Sequence, residues 1–244
     1  MFFGTGGLTA ADVGGKVVAM IDVLRASTSI AAALNNGARA VIPLENSDDA
    51  VTLAKTFART DVRLAGERRM LRIPGFDLGN SPAEFTRAAV EGKTILMTTT
   101  NGTAALAATQ GARDVIVASY VNFSATLTML RAALRGGADI AIVCAGRDKQ
   151  FAFEDAGCAG RYVRHVSRRL TGVKLNDAAH ASVLIDKKYG DNLDRLLGAS
   201  EHGRALTEAG FGADLAACAT LDTHPVIPLY QDRQITKLGP DRER

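Results

Sequence analysis

Val17-Val18-Ala19-Met20-Ile21-Asp22 is a short apolar run that stops on a carboxylate, and Val23-Leu24-Arg25-Ala26-Ser27-Thr28 follows it with a change to helical character. A strand that is apolar on both faces belongs inside a sheet covered on both sides. The same rhythm repeats downstream. Residues 40–44, 62–65, 94–97, 114–118 and 139–144 read as further strands, and the segments between them carry helix signals. Ser47-Asp48 precede a helix over 50–58, Asn122 precedes one over 123–134, and Ser81-Pro82-Ala83-Glu84 has the form of a capping box with proline at the first helical position. Gly37, Gly92, Gly111 and Gly136 stand where helices should stop. After Gly157 the strand signal fades. Residues 158–170, 177–188, 193–197, 201–209 and 213–219 read as helical, and only 226–229 as a late strand.

The expected fold is therefore a three-layer α/β/α arrangement with a mostly parallel or mixed sheet and a helix-rich C-terminal third. No Pro- or Ser-rich linker interrupts the chain, so residues 1–244 are taken as one domain, with the glycine-rich 1–15 and the polar 231–244 as peripheral ends. An apolar fraction of 47% over 244 residues fills a sizeable core. The balance of 29 Lys and Arg against 26 Asp and Glu leaves a net charge of +3 spread along the chain, which implies neither a nucleic-acid groove nor a membrane-surface patch. No run approaches the ~20 apolar residues of a membrane span, and Met1 to Gly15 lack the pattern of an export signal. Cys144, Cys158 and Cys218 are too few and too scattered for a disulfide framework or a structural zinc site, so a cytoplasmic setting is expected.

Ligands of open α/β sheets bind outside the carboxyl ends of the strands, and here those positions are polar. Asp22 and Arg25 offer a carboxylate for a metal or phosphoryl group and a guanidinium to clamp oxyanions; the plain alternative is a surface ion pair beside a helix cap. Thr98-Thr99-Thr100-Asn101-Gly102-Thr103 opens a helix with hydroxyls and free N–H groups, an anion site if it is more than an ordinary N-cap. Gly66-Glu67-Arg68 begins a long segment, through Pro82, with Gly and Pro punctuation and no core periodicity, as functional loops have. Cys144-Ala145-Gly146-Arg147 ends another strand. Glu154-Asp155 begin a helix, as metal ligands or as acids favouring its dipole. Other signatures fail. The early glycines precede the first strand and so make no phosphate loop. Cys158 and Arg164 have the C-x5-R spacing of cysteine phosphatases, but the residues between them are bulky and helix-like, so Cys158 is assigned to packing. None of the four histidines has metal-ligand spacing; His202 is read as a pocket residue.

Taken in order, Asp22-Val23-Leu24-Arg25-Ala26-Ser27, Gly66-Glu67-Arg68, Ile73-Pro74-Gly75-Phe76-Asp77-Leu78-Gly79-Asn80-Ser81-Pro82, Thr99-Thr100-Asn101-Gly102-Thr103, Cys144-Ala145-Gly146 and Glu154-Asp155-Ala156-Gly157 resemble the motifs of 2-phosphosulfolactate phosphatases over roughly residues 16–229. The resemblance implies a Mg²⁺-dependent hydrolase that releases inorganic phosphate from 2-phospho-3-sulfolactate on the route to coenzyme M; the alternatives are a phosphatase for another small phosphorylated hydroxy acid and a non-catalytic anion-binding sensor on the same fold. It departs at residues 1–15, where such proteins usually have a further strand-like segment. On this reading Asp22, Arg25 and Glu67 are catalytic; Asp22, Glu67, Glu154 and Asp155 hold the metal; and Arg68, Asn80, Ser81, Thr100, Asn101, Gly102, Thr103, Cys144, Gly146 and Arg147 bind substrate. The partner expected is a small anionic phosphorylated hydroxy acid, with no nucleic acid and no membrane; for the chain itself the expectation goes no further than a homodimer.

Overall fold

The computed structural model describes residues 1–239. Nine strands form one sheet: β1 (Val17–Ile21), β2 (Ala40–Pro43), β3 (Val62–Arg68), β4 (Leu71–Arg72), β5 (Thr94–Thr98), β6 (Asp114–Ala118), β7 (Ile140–Cys144), β8 (Pro228–Gln231) and β9 (Gln234–Lys237), in the order β4-β3-β5-β2-β9-β8-β6-β1-β7. The helices are α1 (Ala10–Val13), α2 (Ala26–Asn35), α3 (Ser47–Ala54), α4 (Arg87–Val90), α5 (Gly102–Ala107), α6 (Phe123–Arg135), α7 (Phe153–Val166), α8 (Asp177–Tyr189), α9 (Leu193–Ala199), α10 (Glu201–Glu208) and α11 (Gly212–Ala219).

Strand alternation shows why this makes three layers. Along β1, Val18 and Met20 face one way and Val17, Ala19 and Ile21 the other, and all five are buried. The Val18 face continues through Val41, Ile95, Val117, Val143 and Ile235 into one core with Ile30 and Leu34 of α2 and Leu106 of α5. On the far face Val17, Ile116 and Ile142 pack with Leu130 of α6 and Tyr162 of α7, while Leu96 and Val62 pack with Ala50 of α3. Nine of the ten residues of α2 are buried, so it is enclosed rather than amphipathic, and its alanines and serines let the sheet approach closely.

The sheet is mixed in a particular way. β1, β6 and β7 are parallel, as are β2, β3 and β5, but three successive antiparallel pairings, β6 with β8, β8 with β9 and β9 with β2, separate the blocks. An odd number of reversals means that the two blocks run in opposite senses. The carboxyl ends of β1 and β5 meet all the same. A Cβ placed on Gly102, after β5, would lie 2.5 Å from the Cβ of Ala26 and 2.8 Å from Oδ2 of Asp22, after β1. Only glycine allows that approach.

Several local expectations change. The polar end read as peripheral contains β9, which lies in the middle of the sheet: Asp232 and Arg233, both at positive φ, make the tight turn that returns the chain after β8. Residues 240–244 lie outside the described residues. At the other end, Phe2 bridges in parallel to Val143, so the glycine-rich start does add to the sheet edge. α3 starts earlier than expected because Asn46, not Ser47-Asp48, caps it through Asp49 N–H at 2.8 Å. The capping box at Ser81 is a single 3-10 turn, Pro82–Glu84, and the Ser81 hydroxyl caps nothing; it donates to Asp214. No described helix is long and apolar enough to cross a membrane.

Candidate functional site

Between the ends of β1, β3, β5 and β7 lies a cavity of about 390 Å³ lined by Asp22, Leu24, Arg25, Glu67, Arg68, Arg69, Met70, Asn80, Thr99, Thr100, Asn101, Arg147, Asp148 and His202. Two tight turns frame it. Arg69 and Met70 between β3 and β4, and Asp148 and Lys149 after β7, are pairs of non-glycine residues at positive φ, the geometry of a type I′ turn. Three of these turn residues, Arg69, Met70 and Asp148, line the cavity, and the turns bring Arg68 and Arg147 to the rim. A second, larger cavity of about 840 Å³ lies at the β7 edge of the sheet, beside Leu134, Val163, Leu170 and Leu175, and contains none of the residues singled out above.

Asp22 lies at the floor. Its backbone N–H donates to Ser27 Oγ at 2.8 Å and its Oδ1 accepts from Ala26 N–H at 3.2 Å, while Oδ2 takes no hydrogen bond from the described residues. Burial raises its pKa to about 6 against the opposing pull of His202, and the charges of Glu67 and Glu154 push the same way as burial. The sign for stability follows: in the unfolded chain the carboxyl ionises near 3.8, in the folded chain near 6, so folding is weakened as pH rises between these values and stays weakened above them. Asp22→Asn should therefore stabilise the metal-free protein by on the order of 3 kcal/mol at pH 8, a gain that fades toward pH 4. Thermal unfolding of both proteins in chelator at the two pH values checks this; equal or lower stability of the variant at pH 8 would contradict it.

Glu67 braces two loops. Its Oε2 accepts from Met70 N–H at 2.9 Å and its Oε1 from Thr100 N–H at 2.8 Å, so one buried carboxylate ties the β3–β4 turn to the start of α5. The Thr run is less free than its sequence implied. Thr103 N–H donates to Thr99 Oγ1 and Thr103 Oγ1 to Thr99 O, and α5 has only six residues, so the anion site reduces to the lining groups of Thr100 and Asn101. Asn101 Oδ1 also accepts from Asp148 N–H at 3.2 Å, which joins this loop to the turn after β7.

The arginines differ in availability. Arg25 is buried, with Nη1 on Asp214 at 2.7 Å and Nη2 on Met70 O at 2.9 Å, so it is no free clamp. Among the described residues Arg68 donates only to the carbonyls of Glu67 and Glu45, and no carboxylate there neutralises its charge. Arg147 pairs with exposed Glu201 at 2.7 Å, a pair of small value in water. Asn80 is 5% exposed and its Oδ1 has no partner among the described residues, a buried acceptor at the cavity wall.

Seven expected residues stand behind the wall rather than in it. Ser81 bonds Asp214, Cys144 is enclosed in the core behind β7, and Gly146, at φ +69, donates its N–H to Asp155 Oδ2 at 3.1 Å. Asp155 Oδ1 accepts from Val23 N–H at 2.9 Å, so both its oxygens hold backbone of the loops that follow β1 and β7. Burial, with Glu154 and Asp22 nearby, pushes its pKa well up. Glu154 is 2% exposed and its Oε1 lies 3.2 Å from His202 Nδ1. Gly102 and Thr103 support the floor and the helix start. His202, read from the sequence as a pocket residue, enters from α10 and lines the cavity, whereas Asp214 gave no signal beyond its place in α11.

Cys158 lies wholly inside α7 and the core, where burial, followed by the charge of Asp155, keeps its thiol well above the usual range and hence protonated. Cys158→Ser should leave kcat/KM within about twofold once folded protein is counted. Loss by orders of magnitude in a folded variant would restore a thiol mechanism.

A family model described as 2-phosphosulpholactate phosphatase matches residues 7–233. A probable 2-phosphosulfolactate phosphatase of Symbiobacterium thermophilum is 38% identical over 229 residues, 94% of this chain and 97% of its own. Others so named, from Caldanaerobacter subterraneus and Thermotoga maritima, are 40% and 35% identical, over 89% and 87% of this chain and 88% of each relative. Matched along nearly its whole length, and with the cavity built from the motifs in question, the chain belongs to the 2-phosphosulfolactate phosphatase family of phosphoric monoester hydrolases.

Proposed function

We propose that this chain hydrolyses 2-phospho-3-sulfolactate to 3-sulfolactate and inorganic phosphate, with Mg²⁺, on a route to coenzyme M in a reducing cytoplasm. The observation that carries the proposal is the cavity itself, in which a buried carboxylate with one unbonded oxygen faces four arginines. A substrate with phosphate, carboxylate and sulfonate on three carbons needs that excess of cations. Arg68 and Arg147 at the rim hold its oxyanions, and Arg25 supplies the donors left over from its two internal bonds.

The donor set fits the metal. Asp22 Oδ2 and Asn80 Oδ1 are hard oxygens without partners on the wall of one cavity, and Mg²⁺ is usually held by one or two carboxylates together with water and substrate phosphate. When bound, the ion supplies Lewis-acid polarisation of the phosphoryl group. Glu67, Glu154 and Asp155, each engaged elsewhere, act as supports for this arrangement rather than as ligands. His202, with Nδ1 against Glu154, has Nε2 left to donate a hydrogen bond or a proton to the leaving oxygen.

Initial rates of phosphate release from 2-phospho-3-sulfolactate, phosphoglycolate, the phosphoglycerates and phospholactate, measured side by side, test the substrate. The reading requires the sulfonated acid to have the highest kcat/KM; a clear preference for another member would assign the chain to that acid instead.

A further inference from the structure

Resting on the phosphatase reading of this cavity, the C-terminal helices contribute a group that the chemistry above does not use. Asp214, in the first turn of α11, is 5% exposed. Its Oδ2 accepts from Arg25 Nη1 at 2.7 Å across 189 residues of sequence, and its Oδ1 accepts from Ser81 Oγ at 2.6 Å. Arg25 Nη2 meanwhile donates to Met70 O, and the guanidinium carbon lies 4.3 Å from the ring centroid of Phe211, next to α11. Two of five N–H donors are thus fixed and the plane is stacked, so the orientation of the three remaining donors is set before any ligand arrives.

We propose that Asp214 is the positioning residue of this site, holding Arg25 so that its unused donors meet the phosphoryl oxygens of the substrate. The charge arithmetic separates this from simple attraction. A carboxylate beside Arg25 cancels positive potential in a cavity that binds anions, so electrostatics alone makes Asp214 a hindrance. What it contributes is geometry: a guanidinium already in place loses no conformational freedom on binding, and it meets the transition state without rearrangement. Ser81, from the long Gly- and Pro-rich segment, fixes the other oxygen of Asp214 and so ties that segment to the same arginine.

The test is a double-mutant cycle of Asp214→Asn and Arg25→Ala, read both as inorganic phosphate affinity by calorimetry and as kcat/KM for hydrolysis. Asp214→Asn should weaken phosphate binding about tenfold and lower kcat/KM by about thirtyfold, most of it in kcat. On the Arg25→Ala background the same change should alter either quantity less than about twofold, and it should recover thermal stability that Arg25→Ala loses by leaving a buried carboxylate unpaired. Ser81→Ala, which keeps the charge of Asp214 and removes one partner, should give a smaller loss of the same kind. Tighter or unchanged phosphate binding in folded Asp214→Asn, or an equal loss with and without Arg25, would overturn the proposal. If the chain does not hydrolyse 2-phospho-3-sulfolactate, the substrate reading falls and the phosphate-binding arm still decides this one.

Discussion

Asp22→Asn should lower kcat/KM by roughly a thousandfold, equivalent to about 4 kcal/mol of transition-state stabilisation, in a protein that is folded and, without metal, more stable than its parent. The two effects have one cause. A carboxylate whose oxygen is left unbonded in a buried site weakens the fold and is retained for what it binds. The asparagine keeps the volume and the bond to Ala26 N–H while removing the charge. Activity must therefore be compared at saturating Mg²⁺ after far-UV dichroism has confirmed the fold. If the variant retains more than about a tenth of the parental kcat/KM, Asp22 is not a central catalytic group.

Glu67→Gln should cost about a hundredfold in kcat/KM together with a lowered melting temperature. Both oxygens of Glu67 accept backbone N–H groups, and a glutamine offers one acceptor and points its NH₂ at the other N–H. Either the Met70 turn or the Thr100 loop must then release, and each carries cavity wall. A brace and a metal ligand predict different rescue. In a brace variant, raising Mg²⁺ leaves the loss unchanged; in a ligand variant, it restores much of the rate by mass action. Recovery to near parental activity at high Mg²⁺ would return Glu67 to the ligand set.

The parts of the fold legible in the sequence were those set by local pattern. Val17 to Ile21 announce a two-face-buried strand without reference to anything distant, and the strands around 40, 94, 114 and 140 do the same. β9 was not legible, because Gln234-Ile235-Thr236-Lys237 has a single fully buried apolar residue, and its place in the sheet depends on hairpin pairing with β8 and a bridge to Val41. Nor was the opposed sense of the two parallel blocks, which is a property of that hairpin. In the site, Asp22, Arg68, Asn101 and Arg147 were legible because each follows a strand end. Asp155 and Gly146 lie in the expected neighbourhood but behind the cavity wall, where Asp155 holds two backbone N–H groups, an engagement that spacing does not show. His202 is legible as a pocket residue and lines the cavity, whereas Asp214 reaches the site from a helix, where pattern shows a polar residue and tertiary packing alone gives its target.

The account stands most directly on release of inorganic phosphate from 2-phospho-3-sulfolactate by the purified chain, followed with Mg²⁺ and then with excess chelator. It predicts release that stops on chelation, resumes when Mg²⁺ is restored, and is nearly unchanged in Cys158→Ser. No release by folded protein in Mg²⁺, or release that survives chelation and disappears with Cys158, would contradict it.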